Sequence, residues 1–394
     1  MTQNHTLPPR VGRLKAGMAR HGIDVIVSFK PENSFYFTGF NPIIYSHPVI
    51  AILTRDHDPI MLVHALRDDH GRASAWVPDI RLYGSWSTKI TMGPNWQDAL
   101  ASILGDLGLA GKTVGIEEEF ISIHRMKQLR AALPDSHFAD ASHLIDQCRL
   151  IKDPDEIAHA RIAARLADLG MDTAVSTLAS GGSEREVAIA SMHAMNTLWA
   201  AEYPDVEVAD FGSLEGGVQN GMATWVLSGP RMFFNCDNPT QRKPQRGEAV
   251  SVLIWTIANG IHAENERTIA MGPLPDANRR ALDAILEIRE EVDRLIKPGT
   301  PYKDLFEKTR EGLQARGYGA NIPGRIGHGI GLGAHEHSSL DAASSLVLEP
   351  GMLFTFEPNI RVPGMCATQI SDTVLITEDG REYLTRSAGG YLEV

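Results

Sequence analysis

Apolar and polar positions divide the 394-residue chain into two regimes. Up to about residue 150, short β-rich runs alternate with helical stretches. Residues 23–29 (IDVIVSF), 49–54 (VIAILT), 59–64 (PIMLVH) and 112–119 (KTVGIEEE) predict strands, and 96–109 (WQDALASILGDLGL) a helix. That alternation is the pattern of an α/β domain. Between the first two strands, residues 31–48 (PENSFYFTGFNPIIYSHP) read as a long loop punctuated by aromatics and prolines.

A domain boundary is expected near residue 150, giving an amino-terminal domain 1–152 and a carboxy-terminal domain 153–394. Asp153 can cap a helix, Pro154 suits its first position, and Asp155 and Glu156 suit its dipole. Ile157, Ala160, Ala164, Ala167 and Met171 then recur at helical spacing, and Ser183 with Glu186 forms a capping box for the next helix. Amphipathic helices are predicted over about 275–296 and 302–317, and the last eighty or so residues return to turns and strands.

The stretch 247–272 carries the sharpest local signal. Asn259-Gly260 between two apolar runs predicts a two-residue hairpin turn, since both central residues of a type I′ turn need positive φ. The implied register places Leu253 opposite Glu266, Trp255 opposite Glu264, and Ile257 opposite His262, all six on one face. Two carboxylates roughly 7 Å apart beside a tryptophan make a poor core. They suit a flat cation. The alternative for such charges, a solvated hairpin face, sits badly with Leu253 and Trp255.

Composition narrows the function classes. A hydrophobic content of 43% with 22% charged residues is that of a globular protein with a sizeable core. The formal net charge of −12 argues against nucleic acid and anionic membranes as partners. No apolar run resembles a signal peptide or a membrane span. Three scattered cysteines, Cys148, Cys236 and Cys366, point to a reducing compartment and to no structural zinc. The expectation is a cytoplasmic protein.

Further candidate chemistry lies downstream. GRIGHGIGLGAHE places His328 and His335 seven residues apart among five glycines, which let a ligand or another backbone approach. Single histidines are usually structural, but this pair is harder to assign to packing. Glu357 is a lone acid in the apolar run FTFEPNI, so it needs water or a partner. Cys236 beside Asp237 would ordinarily be an inert buried thiol.

The order of these pieces (SGP…NCDNPTQR, then 247–272, GRIGHGIGLGAHE, LEPGMLFTFEP and DTVLIT) resembles the pita-bread superfamily of creatinase, prolidase and aminopeptidase P. PENSFYFTGF and LIKDPDEI resemble the amino-terminal domain and the junction of the creatinase/prolidase branch. The resemblance implies an α/β (α+β) protein. A creatinase-like amino-terminal domain would precede a curved antiparallel sheet covered by helices, and two chains would form a homodimer.

Metallopeptidases of that superfamily bind two metals through Asp, Asp, His, Glu and Glu. The matching positions here are Leu253, Glu264, His328, Glu357 and Ser371, so two of five donors are lost. No metal and no other cofactor is therefore expected, with a single ion on Glu264, His328 and Glu357 kept as an alternative. AENERT resembles the corresponding segment of metal-free creatinase, with Glu266 at its glutamate. Cys236 stands where creatinase has its catalytic histidine, and Ser339 where it has a carboxylate-binding arginine.

The nearest resemblance is to the ectoine hydrolases of this branch. It implies metal-independent opening of the cyclic amidine of ectoine to an N-acetyl-2,4-diaminobutyrate. Glu266 would be nucleophile or general base, and His328 or His335 the acid. Glu357 and Glu264 would hold the amidinium, with Trp255 against the ring. Cys236 is an alternative nucleophile. Tyr45 and His47 match a loop that closes the partner protomer's site. Hydroxyectoine is a further candidate substrate, and a deacetylase would act on the product. The other readings are a creatinase-like enzyme for another small amidine or guanidine, a residual X-Pro metallopeptidase, and a non-catalytic binding module.

Overall fold

The computed structural model describes residues 7–212, 217–388 and 392–394. The chain forms two compact units, one of residues 1–149 with 210–219, the other of 150–209 with 220–394. The return of 210–219 to the first unit has no signature in the hydrophobic pattern.

The first unit contains α1 (Pro9–His21), β1 (Val25–Ser28), α2 (Pro31–Thr38), β2 (Ile50–Thr54), β3 (Ile60–His64), α3 (Asp68–Ser74), β4 (Asp79–Tyr83), α4 (Trp96–Asp106), β5 (Thr113–Ile116), α5 (Ile123–Ala132), β6 (His137–Asp140) and α6 (Ser142–Leu150). Its sheet runs β4-β3-β2-β1-β5-β6. β1–β2 and β2–β3 are antiparallel, and the other pairs parallel. β1, β2, β3 and β5 coincide with predicted strands. Residues 31–38, expected as part of a loop, are helical instead. Pro31 enters at the first turn, and Gly39 ends the helix at φ 76 with its N–H on the Phe35 carbonyl at 2.7 Å. Proline and glycine punctuate short helices as well as loops. Tyr36 and Phe37 are buried, so the aromatics of this stretch are core.

The second unit continues with α7 (Pro154–Ala179), α8 (Glu184–Glu202), β7 (Ala223–Ser228), β8 (Ala249–Ala258), β9 (Ile261–Ala270), α9 (Asp276–Asp293), α10 (Tyr302–Ala315), β10 (Leu353–Phe356), β11 (Arg361–Val362), β12 (Cys366–Ala367), β13 (Ser371–Ile376), β14 (Arg381–Tyr383) and β15 (Leu392–Glu393). Helix starts follow the predicted caps. Glu156 accepts the Asp153 N–H at 2.8 Å, and Ser183 and Glu186 bond reciprocally. The sheet runs β10-β13-β9-β8-β7, with β14 beside β13 and β15 beside β9.

The central hairpin has the predicted register, with Leu253 opposite Glu266 and Trp255 opposite Glu264. Asn259 and Gly260 turn it at φ 44 and φ 84. Val250, Val252 and Ile254 of β8 pack with Leu166, Met171 and Leu178 of α7 and Val187 and Met195 of α8. Alternation then turns Leu253 and Trp255 the other way. Ile257, next to the turn, also belongs to the apolar cluster of α7 and α8. His262, opposite Ile257 as the register requires, reaches the Gly331 carbonyl of the glycine-rich stretch with Nδ1 at 2.8 Å. A second core joins α9 and α10 to β10 and β13 through Ile285, Ile288, Leu305, Phe354 and Val374.

β9 and β13 pair through only two positions, Glu266 with Ser371 and Asn265 with Asp372. On one side the Thr373 hydroxyl accepts the Glu264 N–H at 2.8 Å and donates to the Glu264 carbonyl at 2.9 Å. On the other the Thr268 hydroxyl accepts the Gln369 N–H at 2.8 Å and donates to its carbonyl at 3.0 Å. Threonine hydroxyls thus take the place of main-chain partners where the strands part. Behind this junction Asp372 is clamped by Arg267 at 2.6 Å and Arg289 at 2.8 Å. No helix among the described residues is long and apolar enough to cross a membrane.

Candidate active site

Three buried segments of the second unit converge: β9, the glycine-rich stretch around His328, and the end of β10. His328 Nε2 lies 3.6 Å from Glu264 Oε2 and 3.9 Å from Glu357 Oε1. One donor atom from each of these three side chains falls within a 4.8 Å group. Glu264, Glu266 and His328 are buried, at 1%, 3% and 1% exposure. Gly327 lets this happen, because a Cβ there would lie 2.0 Å from the Thr355 carbonyl oxygen. The strand of Glu357 can therefore pass close beneath His328.

The hydrogen bonds set the protonation pattern. His328 Nδ1 meets the Gly329 carbonyl at 2.9 Å. A carbonyl only accepts, so Nδ1 carries a proton and Nε2 faces the carboxylates. Burial opposes the His328 cation, but Glu264 and Glu357 outweigh it and raise its pKa. Burial likewise opposes ionised Glu264, yet His328 beside it takes its pKa below the usual range. Within that pair each charged form favours the other. Burial, reinforced by Glu264 and Glu357, pushes Glu266 well above the ordinary value. Burial and Glu264 raise Glu357 to about 7. A cation entering beside Glu266 and Glu357 would favour the ionised form of each.

The remaining sequence candidates take varied places. Trp255 meets the His335 ring edge-on at 5.1 Å and the Trp225 ring at 4.9 Å. His335 lies 4.2 Å from the His328 ring, and burial and that neighbour lower its pKa to about 4. It is therefore neutral at pH 7, which makes His328 the better proton donor of the two. Cys236 is exposed, not the buried thiol its neighbours in sequence suggest. It follows Asn235 at φ 64 and ψ −71, with the Cys236 N–H on the Phe234 carbonyl at 2.9 Å. This is the strained, positive-φ form of the γ-turn. Partial burial, Glu266 and Asp237 raise the thiol pKa, which disfavours a thiolate nucleophile.

Tyr45 and His47 belong to the first unit. Tyr45 is buried there with its hydroxyl on Asn41 Oδ1 at 3.2 Å, and His47 stacks on His64 with centroids 4.1 Å apart. Two residues that sequence reasoning missed touch the acids. Gln369 donates to Glu266 Oε2 at 2.6 Å, and Arg325 Nε lies 3.7 Å from Glu357 Oε1. A buried ion pair of Lys152 with Glu336 at 2.9 Å holds the glycine-rich stretch.

Comparison with known proteins places this geometry in a family. Residues 158–378 match metallopeptidase family M24, and residues 10–151 match the creatinase/prolidase N-terminal domain. A Staphylococcus aureus protein described as an uncharacterized peptidase is 28% identical over 355 residues, covering 90% of this chain and 92% of the relative. The prolidase from Pyrococcus furiosus superposes with a TM-score of 0.77 at 25% identity, covering 95% of this chain and 100% of the other. The Xaa-Pro dipeptidase from Bacillus anthracis gives 0.81 at 23% identity, covering 98% and 99%.

The family name implies metal, and the donor set tests that. Leu253 and Ser371 both flank Glu266 across the ladders of β9. Neither offers a carboxylate, so a bridged metal pair does not fit these residues. Three donors remain, enough for one ion at most.

Proposed function

We propose, from the premise that the chain belongs to metallopeptidase family M24 while lacking carboxylates at positions 253 and 371, that it is a hydrolase opening the cyclic amidine of ectoine without a metal pair. The observation that carries this reading is the convergence of Glu264, Glu266 and Glu357 around His328, with Leu253 and Trp255 paired opposite the two acids of β9. An amidinium is flat, cationic and rich in N–H donors. It offers Glu264 and Glu357 one N–H each, and charge-assisted bonds of this kind are the strong class.

Binding a cation favours the ionised form of Glu266. The carboxylate then either attacks the amidine carbon, giving an acyl-type intermediate that water cleaves, or removes a proton from water that attacks directly. In both routes water supplies the oxygen that the former amidine carbon keeps as an acetyl carbonyl. One ring C–N bond breaks, and its nitrogen leaves as an amine after taking a proton from His328. The product is an N-acetyl-2,4-diaminobutyrate, which a deacetylase would process further. The reading includes a cytoplasmic homodimer in which Tyr45 and His47 serve the partner protomer's pocket, and hydroxyectoine as a second substrate.

Incubation of the purified protein with ectoine, followed by mass spectrometry, should yield acetylated diaminobutyrate in the presence of a chelator. No turnover would sink the reading. A second reading is favoured by one observation: Glu264 Oε1 and His328 Nε2 are buried without hydrogen-bond partners. Glu264, His328 and Glu357 would then hold one ion supplying a bound hydroxide for X-Pro hydrolysis. Chelator-sensitive cleavage of an X-Pro dipeptide, with one metal per chain, would favour it.

A further inference from the structure

The pocket accounts for a positive charge on the substrate but not for a negative one. The position where a creatinase-like carboxylate anchor is expected is Ser339, which bridges to His328 through its backbone and carries no charge. Any anion on the substrate must therefore find a different cation.

The guanidinium groups nearby are mostly committed. Arg267 donates to the Glu266 and Ser371 carbonyls and to Asp372. Arg289 donates to the Phe356 and Ile370 carbonyls at 3.0 Å each and to Asp372. Arg361 donates to the Phe233 carbonyl at 3.0 Å and to Asn235. Arg325 is different. Its side chain is 43% exposed, its Nε stands 3.7 Å from Glu357 Oε1, and among the described residues that loose ion pair is the one polar contact it makes. Its charge also acts on the exposed His335. Arg325 thus lies at the open side of the acids, three residues before His328, with its donors uncommitted.

We propose that Arg325 anchors a carboxylate on the substrate, so that the site selects a zwitterion whose planar cation enters the acids and whose carboxylate stays at the mouth. The guanidinium fork matches a carboxylate in two parallel hydrogen bonds. A ligand with both charges satisfies Glu357 and Arg325 separately and replaces their weak mutual contact. A simple cation leaves Arg325 unanswered, and a simple acid cannot enter the pocket. Selectivity then comes from requiring both. This inference rests on the amidine-hydrolase reading.

The test compares kcat/KM for ectoine and for 2-methyl-1,4,5,6-tetrahydropyrimidine, the same ring without its carboxylate. The unaltered enzyme should favour ectoine roughly 10- to 100-fold, mostly through KM. Arg325→Ala should bring that ratio to within about 3-fold of unity, and Arg325→Lys should restore part of it. Circular dichroism checks folding, and the lysine variant decides the matter if the alanine variant is unstable. An unchanged ratio in folded Arg325→Ala, or equal use of both rings by the unaltered enzyme, overturns the inference and leaves the amidine-hydrolase reading standing. Hydrolysis of neither ring overturns that reading itself and the inference with it.

Discussion

Gln369 donates its side-chain N–H to Glu266 at 2.6 Å, so the acid at the centre of the pocket is oriented from β13's approach rather than from its own hairpin. The bond favours the carboxylate, against the burial and the like charges that oppose it. One oxygen of Glu266 is thereby occupied and the other is left for chemistry. Replacing Glu266 by Gln preserves shape but removes both nucleophile and base. Turnover of ectoine should fall at least about 10³-fold, read as kcat in steady state. Near-normal turnover would remove Glu266 from the mechanism.

Substrate binding should release protons. Glu357 is raised to about 7, so it is partly protonated near neutrality, and burial with Glu264 and Glu357 raises Glu266 as well. A bound amidinium favours their carboxylates and drives protons out. Calorimetry in buffers of different ionisation enthalpy should give net proton release at pH 6–7, and apparent affinity should rise with pH through about 7. Binding without proton release would count against a cation in this pocket.

The same acids cost stability at high pH. Their folded values exceed the unfolded ones, so the folded chain holds protons that the unfolded chain gives up. That stabilising contribution is complete below the ordinary value of 4.5 and is lost as pH rises through about 7 for Glu357. Glu357→Gln should therefore raise Tm at pH 8, by an amount corresponding to about 1–2 kcal/mol, and change it little at pH 4.5. Thermal denaturation at the two pH values checks the sign.

Restoring the absent donors should restore metal. Leu253→Asp with Ser371→Glu places carboxylates on both sides of Glu266. The double variant should bind Mn²⁺ or Co²⁺ at up to two per chain, measured by calorimetry and elemental analysis, and the unaltered protein should bind no pair. A metal pair in the unaltered protein would refute the donor argument.

Cys236→Ser should keep activity within about 3-fold, because the thiol is held protonated by partial burial and by Glu266 and Asp237. Alkylation kinetics across pH should show a thiol more basic than a free cysteine. Abolished turnover in the serine variant would return Cys236 to the mechanism.

Much of this is legible in the sequence alone. Asn259-Gly260 fixed a register, and that register alone set Glu264 and Glu266 on one face beside Leu253 and Trp255. His328 and Glu357 could be named as candidates because glycines and a lone acid are conspicuous in their settings. The helix at 31–38 was missed because proline and glycine serve helix ends and loops alike. Gln369 and Arg325 were invisible for a different reason. Nothing local marks an ordinary glutamine or arginine, and their roles arise only when separate strands fold together. The protonation split between Glu264 and Glu266 was equally hidden, since it depends on which of two near-identical acids faces His328.

The two threonine hydroxyls that bracket the short pairing of β9 with β13 bear on how the enzyme tolerates change. A hydroxyl rotates, whereas a peptide group does not, so each works as a clasp and not a weld. Valine at both places would keep the bulk and undo the clasps, leaving the acid-bearing strand to drift from the one that steadies it.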